Sequence, residues 1–142
     1  MNTTSAAVAS AVTFVWLGMV LAISFLEAPL KFRAPGVTIP IGLGIGRLVF
    51  RALNLVETVL AVVVIVAVAV GAAPASAVGL TAAVAALLLA QLAFVRPRLN
   101  RRSDRVLAGE EGPRSRGHLA YVALELAKVG VLIALGIRLV SV

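Results

Sequence analysis

Cysteine is absent from the 142 residues, histidine occurs once, and Asp and Glu together number six. The first absence excludes disulfides, thiolate metal centres, iron–sulfur clusters and thiol redox chemistry in any compartment. A single His excludes bis-histidine haem ligation within one chain, and without any Glu-x-x-His pair the usual carboxylate-bridged metal pair of a four-helix bundle cannot be built. No metal and no cofactor is therefore expected. Charge is scarce too, at 13% of residues against about 25% in ordinary soluble domains, whereas 61% are hydrophobic against roughly 45–50%. A soluble globule is excluded on that balance. Four spans of about 20 residues would consume more than half the chain, which leaves no room for a separate soluble domain.

What remains is one all-α, membrane-embedded helical domain over residues 1–142. Four apolar runs, at about 6–26, 53–73, 77–95 and 120–140, are long enough to cross a bilayer. No Lys or Arg precedes the first run, so it lacks the basic flank of a signal peptide and reads as a retained helix. The second contains AVVVIVAVAV, whose β-branched residues are tolerated as helix in lipid because backbone polar groups must be satisfied internally there. The short GAAPAS connection makes the second and third runs an antiparallel hairpin. The fourth carries Glu125 and Lys128. About a dozen apolar residues there contribute about −5 kcal/mol to insertion, and two central charges oppose it by about 2.5–3.5 kcal/mol each. Insertion is near break-even, so its polar face is expected inside the bundle.

The net charge of +7 would suggest nucleic acid in a soluble protein, but the charges flank apolar spans and no nucleic acid is expected. Lys31, Arg33, Arg47 and Arg51 lie between the first and second spans, and RPRLNRRSDRVLAGEEGPRSRGH, with seven Arg, lies between the third and fourth. These two loops share one side and hold eleven of the thirteen basic residues, so the positive-inside rule puts them in the cytoplasm and both termini outside. The bilayer is the expected partner, with anionic lipid headgroups as a further one at the Arg-rich loop 96–117. The first loop, from Pro29 through Gly46, is Pro- and Gly-rich yet apolar, and is expected to lie in the interface or re-enter the membrane, turning helical from about Leu43.

Three of the six acidic residues, Glu27, Glu57 and Glu125, fall in or at the edge of apolar spans, where ionisable groups normally face a bundle interior or an aqueous cavity. His118, Tyr121, Glu125 and Lys128 share an arc of roughly 80° on the fourth helix. Arg47, Arg51, Asn54 and Glu57 share roughly 120° on the second. Thr13, Trp16, Val20, Ser24 and Glu27 share a face of the first, and Gln91 is the polar residue of the third. These stripes predict a cytoplasm-facing polar cavity binding a small polar or anionic ligand or protons, formed by Glu27, Arg47, Arg51, Asn54, Glu57, Gln91, His118, Tyr121, Glu125 and Lys128.

Several alternatives stay open. Glu125 with Lys128, and Glu27 or Glu57 with Arg47 or Arg51, would equally form an ion-pair network that only fixes helix register. His118, beside Gly117, is either a helix-start residue or an acid/base. The run Gly42-x-Gly44-x-Gly46 followed by Arg47 offers backbone N–H groups to an anion, or simply close helix packing; it matches neither the P-loop nor the dinucleotide fingerprint. Transport is the leading functional expectation, and an interaction or assembly subunit of a membrane complex is the alternative. An intramembrane enzyme on a lipid-linked substrate, with His118 and Glu125 as acid and base, has no catalytic motif behind it. Homo-oligomerisation is compatible with four short helices.

The stretch WLGMVLAISFLEAPLKFRAPGVTIPIGLGIGRLVFRALNLVE, from Trp16 to Glu57, resembles the opening half of an uncharacterised bacterial family of small four-helix integral membrane proteins. It is also similar to the four-helix domain of eukaryotic proteins associated with cisplatin resistance. The shared features are a Trp-Leu-Gly first helix, a Pro- and Phe-containing connection and an LVF-type start to the second helix. The resemblance implies a four-helix fold in the inner (plasma) membrane of a bacterium, and brings no site residue with it.

Overall fold

The computed structural model describes residues 1–107 and 116–142, with side chains described except at 102, 103, 106, 107 and 116–118. Four helices among them are long and apolar enough to cross a membrane. We label them α1 (Thr3–Arg33), α2 (Ile39–Val70), α3 (75–107) and α4 (Arg116–Val140). No strand occurs among the described residues.

Each helix begins or ends for a local reason. Asn2 caps α1 by accepting the Ser5 N–H at 2.7 Å, and Thr38 caps α2 by accepting the Ile41 N–H at 3.3 Å. Pro40 sits in the first turn of α2, where a missing N–H leaves no gap in the helix. At the other end, Gly71 is followed by Ala72 at φ 53°, and the Ala73 N–H closes back on the Val68 carbonyl at 3.3 Å. Pro74 then starts α3.

The Pro/Gly-rich first loop expected to lie in the interface or re-enter the membrane is not a loop. Only residues 34–38 are non-helical, with Gly36 at φ 81° making the turn. The glycines counted as loop signals lie inside α2 and serve packing: a Cβ at Gly42 would overlap the Phe32 ring, and one at Gly46 would come within 2.8 Å of Lys31 Nζ. Consequently α2 is 32 residues long, about 48 Å at the usual rise, and starts at Ile39, before the expected helical start at about Leu43. The stretch beginning at Arg96, expected to be a loop, likewise continues α3 as helix to Leu107; residues 108–115 of the expected loop lie outside the described residues.

Two prolines within helices are accommodated in the same way. In α1, residues Leu21–Glu27 form a wide π turn that closes with the Ala28 N–H on the Ile23 carbonyl, just before Pro29. In α3, residues Gln91–Val95 do the same, with the Arg96 N–H on the Gln91 carbonyl, just before Pro97. Widening the helix by one residue makes room for a ring that would otherwise strike the preceding turn.

Helix α1 packs against α2 and α4, and α3 packs against α4 and α2, which closes a ring of antiparallel neighbours. The core is apolar toward the chain-terminal end, where Ala9, Val64, Val68, Ala77, Leu135 and Leu139 are buried. Large apolar side chains such as Leu48, Leu55, Val70 and Phe94 also face outward, so the exterior is as oily as the interior. That is the surface a bilayer requires. The buried charged groups among the described residues, Glu57, Glu125 and Lys128, and the amides Asn54 and Gln91 lie toward the other end; Thr13 and Thr81 are the remaining buried polar residues among those described.

Candidate functional site

The centre of the polar half is Lys128, whose side chain is fully buried. Its ammonium nitrogen lies 2.6 Å from Glu57 Oε1, 2.5 Å from Glu125 Oε1 and 2.8 Å from Gln91 Oε1, which uses all three of its donors. The Trp16 indole N–H donates to Glu57 Oε1 at 2.9 Å. The Ser24 hydroxyl donates to Glu125 Oε2 at 2.7 Å, and Gln91 Nε2 donates to Glu125 Oε1 at 3.3 Å. All four helices contribute to this one network. Two of its members, Ser24 and Gln91, belong to the π turns of α1 and α3, so the widening that accommodates the prolines also sets where these side chains point.

The network holds two carboxylates against one ammonium. Charges taken out of water must be paired and hydrogen-bonded to be tolerated, and most of this set is. Glu57 Oε2 is the exception, buried with no hydrogen-bond partner, as is Asn54 Oδ1 one turn away.

Beside the network, at the end where α1 turns into α2, lies a cavity of about 390 Å³ walled by all four helices. Glu125 and Ser24 reach it from the network, and Lys31, Arg47, Arg96 and Tyr121 add polar atoms. Phe25, Phe32 and Phe50 supply apolar wall. Arg96 is cradled by two rings: its guanidinium carbon is 4.9 Å from the centroid of Phe50 and 4.4 Å from that of Tyr121. Those rings meet edge to face, 5.8 Å apart at 85°. Aromatic faces hold a cation without neutralising it. Arg96 Nε and Nη2 are buried with no hydrogen-bond partner, and so is the hydroxyl of Tyr121, which is only 6% exposed. The other cations of the rim are engaged: Lys31 lies 3.9 Å from Glu27, and Arg47 bridges to Asp104 on the extension of α3.

Of the residues expected at the site, Glu57, Gln91, Glu125 and Lys128 converge in the network, and Tyr121 and Arg47 line the cavity. Asn54 is buried on the same face of α2, and its Oδ1 has no hydrogen-bond partner. Glu27 is half-buried and paired with Lys31, not with Arg47 or Arg51 as in the ion-pair alternative. Arg51 is exposed and joins neither group, because its position on α2 turns it away from the face that Glu57 shares with Asn54. The pairing of Glu57 with Arg47 or Arg51 is likewise replaced by its contact with Lys128, since Arg47 lies more than two helical turns away along α2. The side chain of His118 lies outside the described residues.

Trp16, Ser24, Lys31 and Arg96 were not among the expected site residues. Trp16 and Ser24 carried a signal, their shared face with Glu27 on α1. Lys31 and Arg96 did not, because in a membrane chain a basic residue at a span end is already explained by orientation. No protein-family model matches the chain, and no significant relative was found among curated proteins or solved structures.

Proposed function

We propose that the chain is an integral membrane protein binding a small anion with an apolar body in this cavity, as part of moving that anion across the bilayer. The observation that carries the reading is Arg96: a guanidinium held against two aromatic rings, with two buried N–H donors that have no carboxylate or carbonyl partner, on a residue that lines a space the size of a small ligand. Unsatisfied donors of this kind cost stability unless an acceptor fills them. A carboxylate or phosphate fits the guanidinium's fork, and the phenylalanine walls suit an apolar remainder.

The basic residues around the cavity and the extension of α3 support a cytoplasmic position for this end, with the termini outside and the inner membrane as location. The opposite half, whose described buried residues are apolar apart from two threonines, supports a closed outer side. Alternating exposure of a binding site enclosed by helices is how transporters move polar cargo.

The test is binding of benzoate, with uncharged benzamide as control, by the purified full-length chain. Benzoate is expected to raise the unfolding temperature followed by circular dichroism, benzamide is not, and Arg96→Gln removes the benzoate effect while leaving the helical spectrum intact. Uptake of labelled benzoate into vesicles containing the protein then tests movement. A chain that binds neither benzoate nor inorganic phosphate overturns the anion site, and one that binds but gives no uptake overturns the transport role.

A further inference from the structure

The charges around the cavity balance in a way that says what must accompany the anion. Among the described residues, α1 presents Glu27 and Lys31, α2 presents Arg47 and Glu57, α3 presents Arg96 and Asp104, and α4 presents Tyr121, Glu125 and Lys128. Lys31 is matched by Glu27, and Arg47 by Asp104. That leaves two carboxylates, Glu57 and Glu125, opposite two cations, Lys128 and Arg96. Only Lys128 touches them. With both carboxylates ionised the inner network carries one excess negative charge, and Arg96, which lines the same cavity as Glu125, is the remaining cation of the set.

An anion seated on Arg96 neutralises that remaining cation. It also places a second negative group in a space bordered by Glu125, inside a low-dielectric bundle where like charges repel strongly. Glu125 is the network carboxylate that lines the cavity, so a proton reaches the network there. Its oxygens touch Ser24, Gln91 and Lys128, and the hydroxyl of Ser24 can reverse to accept from a protonated carboxyl. Resting on the anion-site reading above, we infer that the cavity takes up its anion together with one proton, which enters on Glu125 and is shared by the Glu57 and Glu125 pair.

The step balances. A proton from bulk water leaves a hydronium oxygen and forms an O–H bond on a Glu125 carboxylate oxygen, the anion binds at Arg96, and the pair adds no net charge to the bundle. Both carboxylates contact one ammonium, so the proton belongs to the pair even though Glu125 is its point of access. Linkage makes the effect reciprocal: the proton strengthens anion binding by the same factor by which the anion strengthens proton binding.

The test uses benzenesulfonate beside benzoate, because a sulfonate cannot carry the proton itself. Added to the purified full-length chain in weak buffer near neutral pH, benzenesulfonate is expected to draw about one proton per anion bound, read with an indicator dye. Its affinity is expected to fall as the pH rises, in step with the proton taken up. Glu125→Gln is expected to abolish both the uptake and the slope while binding persists. Binding that is pH-independent and releases or takes up no proton overturns the coupling and leaves the anion site standing. A slope retained in Glu125→Gln with helical content intact overturns the assignment to Glu125. If that variant fails to fold, the wild-type uptake with benzenesulfonate alone decides the coupling. Absence of binding by benzoate, benzenesulfonate and inorganic phosphate alike overturns the anion site and the coupling together.

Discussion

Lys128 on α4 reaches across the bundle to Glu57 on α2, nitrogen to oxygen 2.6 Å, with both side chains wholly buried. The contact spans 71 positions of sequence and is closed on the same ammonium by Glu125, one helical turn away on α4. A buried charge set of this kind is expensive to break and cheap to replace as a whole.

Lys128→Met is therefore expected to destabilise the bundle by about 3–5 kcal/mol, because two carboxylates lose their only contacting cation. Adding Glu57→Gln and Glu125→Gln to it removes the stranded charges and is expected to recover most of that loss. Thermal unfolding followed by circular dichroism compares the two. If the triple variant is no better than Lys128→Met alone, the charges are not what holds the helices in register.

The turn between α2 and α3 makes a purely local prediction. Ala72 is the non-glycine residue at positive φ among the described residues, a conformation that costs an L side chain about 1–2 kcal/mol. Ala72→Gly removes that cost and adds some backbone freedom to the unfolded chain. The expected net effect is a stabilisation of about 0.5–1 kcal/mol, seen as a higher unfolding temperature with ligand binding unchanged. A destabilised Ala72→Gly would contradict the positive φ.

Gly42 predicts a change in the cavity. A larger residue there collides with the Phe32 ring, itself part of the cavity wall and 39% exposed, so the ring can swing aside. Gly42→Val is expected to cost little stability, about 1 kcal/mol, and to weaken benzoate binding about tenfold by displacing the wall. Titration of the purified variant with benzoate reads the affinity directly. Unchanged affinity would place the ligand away from Phe32.

Much of this arrangement is legible in the sequence, for a physical reason. A hydrophobic run with a carboxylate in it leaves few options, so the buried positions of Glu57, Glu125 and Lys128 and the common face of Tyr121, Glu125 and Lys128 follow from helical spacing alone. What spacing does not reveal is which cation meets which carboxylate. Glu57 was open to Arg47 or Arg51 on its own helix and found Lys128 instead, because the choice depends on how the helices are rotated against each other. The start of α2 was obscured for a different reason. Proline and glycine signal a loop in water, yet in α2 Pro40 sits where no N–H is needed and Gly42 and Gly46 sit where a neighbouring side chain presses close. Arg96 was hidden by a sufficient explanation, since orientation accounts for any arginine at a span end until its surroundings are seen.

The chain has one tryptophan, and its indole N–H ends on Glu57. Ultraviolet emission from the whole protein therefore originates, almost entirely, from a ring hydrogen-bonded to Glu57, one member of the carboxylate pair that the anion and proton would disturb. Without label or graft, the intensity and colour of that light report the charge state at the heart of the bundle, in detergent or in a vesicle wall.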